Sequence, residues 1–187
     1  MYKNYLMITL LAALLGCSTT MQVTKLDDHG YYPTDSRLEP DDILVRKPFS
    51  NKYKKLLYVK TDATYQKYTN FLVTSFENMH VFSSVMQEEK LESLIVHRNI
   101  ANKVSNVSNL IGLKQLETQI GPFLVVEPYV ESMGGSHLTA QLKFIDPETG
   151  DIVLLLRKKA FVWSGLDEPL FYPLFNGFID WANNRPL

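Results

Sequence analysis

The chain has 187 residues, of which 45% are hydrophobic and 21% charged, a length and balance that fit one globular domain and exclude a disordered chain. A formal charge of -1 leaves no basic footprint for nucleic acid. The single cysteine, Cys17, rules out an intrachain disulfide, so the fold rests on packing, for which 10 Phe, 10 Tyr and 2 Trp are available.

Residues 1–16 read as a signal peptide, with Lys3 in the positive segment and Leu6 to Leu15 as the apolar one. That run is about half of the ~20 residues a membrane-spanning helix needs. At Leu14-Leu15-Gly16-Cys17 the sequence resembles the bacterial lipobox, in which small residues precede a cysteine. The resemblance implies cleavage before Cys17, diacylglycerol on its sulfur and an acyl chain on the new amino terminus. Several chains anchor stably, because each buried methylene contributes about 0.8 kcal/mol. Ser18 follows the cysteine where an Asp would resemble the inner-membrane retention signal, so the periplasmic face of the outer membrane is the expected location. The alternative is a plain secretory signal that ends in Cys.

Residues 17–42 carry no apolar period. Asp27-Asp28-His29-Gly30, Pro33-Thr34-Asp35-Ser36 and Pro40-Asp41-Asp42 are turn and linker chemistry, so this stretch is expected to be a lipidated flexible linker with a mean span of ~25–30 Å. Tyr31-Tyr32, an aromatic pair inside it, has docking on the domain or on a partner as its alternatives, though a lone pair in a linker more often does neither.

Residues 43–187 form the expected α+β domain. Lys55 to Lys60 is a short strand, and Asp62 or Thr64 caps a helix whose stripe is Tyr65, Tyr68, Leu72, Phe76 and Met79. His80 to Val85 reads as a second strand, and Gln87 to Lys103 as a helix with Leu91, Leu94 and Ile95 inward. The Asn/Ser cluster at 105–109 breaks that pattern, and Leu110 to Ile120 is a further helix ended by Gly121-Pro122. Phe123 to Val130 is continuously apolar, as in a strand covered on both faces. After a Gly134-Gly135 turn, Leu138, Ala140, Leu142 and Phe144 alternate with Thr139, Gln141 and Lys143. Asp146-Pro147-Glu148-Thr149-Gly150 is a hairpin loop, Ile152 to Leu156 a buried strand, and Arg157-Lys158-Lys159 its emergence into solvent. Asp167-Glu168-Pro169 opens a last helix with the stripe Leu170, Leu174, Phe178 and Trp181. The expected architecture is a mixed sheet with a C-terminal antiparallel three-stranded meander and helices packed on it.

This order, with Asn78-Met79-His80-Val81-Phe82 after a helix, Phe123-Leu124-Val125-Val126-Glu127, and Phe144 to Ile152 around the hairpin turn, resembles the curli-secretion-lipoprotein and TolB-amino-terminal-domain superfamily of bacterial envelope proteins. The resemblance implies a small periplasmic interaction module with an envelope protein as partner. Accessory proteins of secretion or polymer export and activators of cell-wall synthases are its known uses. No stretch matches the long membrane-inserting segment of the channel-forming members.

The residues suggest no catalysis, cofactor or metal. His29, His80, His97 and His137 lack metal-ligand spacing, and Gly134-Gly135-Ser136-His137 lacks the Gly-x-Ser-x-Gly elbow of a hydrolase. Asp167 and Glu168 are explained by helix capping. An envelope hydrolase using Ser136 or a carboxylate pair not evident in the sequence is the alternative from the enzyme class. Phe171, Tyr172 and Phe175 make the last helix aromatic on more than one side, and such a helix is either buried or binds a partner. These three are the candidate partner-binding residues, and Cys17 is the candidate lipidation site.

Overall fold

Six strands form one mixed sheet in the computed structural model, which describes residues 21, 23–61, 66–161 and 167–186. They are β1 (Ile43–Arg46), β2 (Leu57–Val59), β3 (Val85–Met86), β4 (Leu124–Ser132), β5 (His137–Ile145) and β6 (Ile152–Phe161), in the spatial order β1-β6-β5-β4-β2-β3. β2 runs parallel to both β3 and β4, with Leu57 opposite Val85 and Leu124. β4, β5, β6 and β1 are successively antiparallel. Among the described residues four α-helices accompany the sheet: α1 (Thr69–Asn78), α2 (Glu88–His97), α3 (Leu110–Ile120) and α4 (Tyr172–Ala182). This is an α+β domain with helices packed on a sheet, as the element order predicts.

The two faces of the sheet bury different helices. Leu57, Val59, Leu124, Val126, Ala140, Leu142, Phe144, Leu154 and Leu156 join the side chains of α1 and α4 in the larger core. Its centre is aromatic: Phe178 stacks on Phe144 (4.9 Å, 15°) and meets Phe76 edge-on (5.4 Å, 89°). Leu56, Tyr58, Phe123, Val125 and Ile145 face the other way, onto Leu91 and Ile95 of α2 and Leu113, Leu116 and Ile120 of α3. The continuously apolar start of β4 is thus covered on both sides.

Three expectations need correction, and one strand was not foreseen. The second strand is only Val85–Met86, because His80 takes a left-handed φ of 53° and the chain turns before it can extend. The helix expected to reach Lys103 stops at His97. Asn99 adopts φ 54°, with the Asn99 N–H on the Val96 carbonyl (2.9 Å) and the Ile100 N–H on that of Ile95 (3.1 Å). This is a left-handed helix stop that Asn tolerates nearly as well as Gly. Arg157, Lys158 and Lys159 lie within β6 rather than beyond it. Finally, β1 is an edge strand that the linker composition before it concealed. The caps proposed at Asp62 and Thr64, and Tyr65, fall outside the described residues.

The hairpin loop between β5 and β6 is fastened to the core by Asp146. Its carboxylate accepts from the Tyr53 hydroxyl (2.7 Å) and the Glu148 N–H (2.9 Å), and pairs with Lys52 (2.9 Å). Burial alone would raise its pKa, but these partners outweigh burial and hold it below the ordinary carboxylate value. A depressed folded-state pKa stabilises the fold above the unfolded value of ~3.9, and the contribution is lost as pH falls through the folded one. Asp146→Ala should therefore cost about 2 kcal/mol in urea denaturation at pH 7, moderated because Lys52 keeps solvent access. The gap between variant and wild type should narrow in acid; an equal gap at pH 7 and pH 2 would show that the charge contributes nothing.

Candidate functional site

The three aromatic residues expected to meet a partner already have one, and it is the chain itself. Phe171 and Phe175 are fully buried and Tyr172 is 4% exposed. Phe71 of α1 contacts the rings of Phe171 (5.7 Å) and Phe175 (5.8 Å). Tyr32 stacks on Tyr172 at 4.9 Å and leans on Phe175 at 5.3 Å. The partner-binding assignment of Phe171, Tyr172 and Phe175 is thereby corrected: α4 is apolar all round because the segment before β1 closes its outer side.

That segment is a strap, which corrects the flexible-linker expectation for its described part. Tyr32 is 1% exposed, its hydroxyl donates to the Ser75 carbonyl (2.7 Å), and its backbone pairs twice with the Asn176 amide (2.8 and 2.9 Å). Burial pushes its phenol pKa up to about 12. The Tyr31 hydroxyl donates to Asp180 and accepts from Arg185 (2.7 Å). Farther along, Lys158 reaches across to the Arg37 carbonyl and to Asp42 (3.3 Å), and Arg157 to the Asp41 carbonyl (3.5 Å). The basic run that looked like a solvated strand end secures the strap. At the other end Met21, Val23 and Leu26 pack against the same core. Cys17 and the signal peptide lie outside the described residues.

The second feature is a part of the sheet that α2 and α3 do not reach. β4 and β5 have nine residues each and extend ~30 Å, whereas α2 and α3, with ten and eleven, reach only ~15 Å. On their side of the sheet the paired residues turn from Val125–Ile145, which are buried, to the polar and part-exposed Glu127–Lys143 and Tyr129–Gln141, and Thr139 opposite Glu131 is buried again. A groove of about 720 Å³ lies where β2 stops and β4 continues. Its wall includes Tyr58, Lys60, Glu88, Glu127, Tyr129, Gln141 and Lys143. Pro128 sits at this open edge. The Leu124 N–H and the Val126 carbonyl bond toward β2 (3.1 Å to the Leu56 carbonyl, 2.9 Å from the Lys60 N–H), and Pro128 follows in the same phase beyond the last residue of β2. Its missing N–H thus removes no ladder bond.

Glu127 is the electrostatic centre of the groove, pairing with Lys60 (2.7 Å) and with Lys143. Burial raises its pKa, but the two lysines more than reverse that and keep it ionised. Tyr58 is fully buried among acidic neighbours, and its hydroxyl has no hydrogen-bond partner among the described residues. Desolvation first, then the charges of Glu88 and other carboxylates, push its pKa well above the ordinary phenol value. None of these groove residues stands out in the sequence as a motif. The available signal was the switch at Glu127 from a continuous apolar run to alternation.

The remaining candidates stay apart. His29, His80, His97 and His137 are each exposed on separate parts of the chain, and among the described residues no three metal-ligating side chains cluster. Ser136 and His137 belong to a tight turn closed by the Met133 N–H on the His137 carbonyl (2.9 Å). Asp167 and Glu168 begin a π-helical turn, Asp167–Phe171, that leads into α4; the Glu168 carbonyl accepts from Thr34 of the strap (3.0 Å).

The class defined by this geometry is a strapped α+β domain with one sheet face that its helices cover only in part. No family model matches the chain, and no curated protein matches it. Among solved structures it is similar to the LpoB C-terminal domain from Salmonella enterica (12% identity, 59% of this chain and 85% of that one, TM-score 0.39). It is also similar to a PelC dodecamer from Paraburkholderia phytofirmans (10%, 75% and 95%, TM-score 0.39) and to lipoprotein GNA1162 from Neisseria meningitidis (14%, 70% and 94%, TM-score 0.35). Likeness at this level carries no argument about what this chain binds.

If the strap is part of the fold, Tyr32→Ala should destabilise the domain by about 3 kcal/mol and open residues 23–42 to limited proteolysis. Asn176→Ala should act in the same direction by about 1–2 kcal/mol, since the Tyr32 backbone groups lose both bonds. Cleavage kinetics equal to wild type in both variants would show that the strap is dispensable.

Proposed function

We propose that the chain is a lipid-anchored accessory module of the bacterial envelope, attached through Cys17 to the periplasmic face of the outer membrane, where it binds an envelope protein without catalysing a reaction. The observation that carries this reading is the distance from Cys17, the sole cysteine at the end of a short apolar leader, to Met21, which packs against the core. Four backbone steps extend at most ~14 Å, so the lipid would hold the folded domain against the bilayer. The span of a flexible linker of some 25 residues no longer applies. A tether this short disfavours the alternative of a synthase activator that must reach far from the membrane. Binding rather than acid–base chemistry is favoured because Glu127 is held charged between two lysines, not poised near neutrality.

The test is Cys17→Ser expressed in a Gram-negative host. Wild-type protein should fractionate with outer membranes and carry an acyl mass on the amino-terminal peptide, and the variant should lose both. Membrane association unchanged by the substitution, with no acyl mass on the wild type, would overturn the anchor. Chemical cross-linking of the anchored protein followed by mass spectrometry should recover an envelope protein that the Cys17→Ser chain captures poorly.

A further inference from the structure

The groove at the end of β2 has the composition of a site for an uncharged polyhydroxylated ligand. Among the described residues the ionisable groups of its wall cancel: Lys60 and Lys143 stand against Glu88 and Glu127. Both lysines are already engaged by Glu127, so a carboxylate or phosphate would have to displace a resident carboxylate to gain them. A cationic ligand would meet the same two lysines. What the groove offers instead is a dense set of donors and acceptors around a part-exposed aromatic side chain. Tyr129 is 44% exposed, and Gln141 is its direct cross-strand neighbour, so ring and amide stand side by side on the same face.

Tyr58 supplies the independent sign of a ligand. A buried hydroxyl with no partner costs about 1–3 kcal/mol, and this one belongs to a fully buried residue on the groove wall. A sugar hydroxyl both donates and accepts and could satisfy it, while the ring of Tyr129 offers the apolar surface on which the C–H face of a pyranose packs. The volume of about 720 Å³ suits a short oligosaccharide. We propose that this groove binds a neutral oligosaccharide, with Tyr129 as the stacking platform, Gln141 and the Glu127 ion-pair cluster as hydrogen-bonding groups, and Tyr58 as the buried partner for one hydroxyl. The proposal is independent of the anchor at Cys17, because nothing in the groove depends on lipidation.

Isothermal titration of the full chain, in a detergent without a sugar headgroup, tests it with four probes: chitotriose, maltotriose, trigalacturonate and inorganic phosphate. At least one neutral trisaccharide should bind saturably, and the two anionic probes should not. Tyr129→Ala should weaken that binding about tenfold or more. Tyr58→Phe should weaken it about three- to tenfold while leaving the thermal midpoint unchanged or higher, since it removes an unsatisfied hydroxyl. That pairing separates a lost ligand contact from a damaged fold. Failure of both neutral sugars to bind, binding of the anionic probes in their place, or affinities unchanged in both variants would each overturn the assignment.

Discussion

The fold depends on burying α4 on every side. Tyr172, Leu174, Phe175, Phe178, Ile179 and Trp181 lie on more than one stripe of a single short helix, and all are buried. A sheet can cover only one side of such a helix. The rest of the apolar surface is closed by Phe71 and Phe76 of α1 and by Tyr32 of the strap. The aromatic contacts form one continuous set from Tyr32 through Phe175, Phe76 and Phe178 to Phe144 on the sheet. Interiors of this kind are packed like crystals, so loss of one ring is felt by its neighbours. A strap that completes the core holds Met21, Val23 and Leu26 against the body of the domain.

Unequal element lengths produce the second feature. On the α4 side, apolar residues alternate along the length of β4 and β5 and are roofed by helices. On the α2 and α3 side, helices of half that length do not reach the far part of the same strands. The sequence of β4 follows this division, with Val125 under the helices and Glu127, Tyr129 and Glu131 beyond them. Because β2 ends at Val59, β4 also has an open edge there, and Pro128 occupies it at no cost in ladder bonds. Groove, ion-pair cluster and orphan Tyr58 hydroxyl all sit at this junction. The sheet edges are blunted by brevity, since β3 has two residues and β1 four with an irregular register.

Much of the fold was legible because local periodicity and burial agree. α3 has the predicted bounds, Leu110 to Ile120, since Asn109 caps it through the Gly112 N–H (2.9 Å) and Gly121 at φ 87° ends it. The strands β4 and β5 and the Asp146–Gly150 turn were legible for the same reason. What failed locally failed for identifiable causes. Asn99 and His80 adopt left-handed backbone without being glycine, and the Asp- and Pro-rich strap has no period although Tyr32 is among the most buried side chains. Lys158, placed by its charge at a solvated end, is drawn inward by Asp42 and a backbone carbonyl.

By itself the sequence determined the α+β class, the positions of most helices and strands, the shortage of catalytic motifs and the singular chemistry expected of Cys17. It also stated a dilemma, that a helix as aromatic as α4 must be buried or bound. Only the tertiary structure decided between the two, because the partner that covers Phe171, Tyr172 and Phe175 comes from distant stretches of the same chain. The groove was likewise beyond local reading. Tyr58, Lys60, Glu127 and Lys143 are separated along the chain and meet only through the register of parallel β2 on β4 and antiparallel β4 on β5, a long-range pairing that no window of neighbouring residues contains.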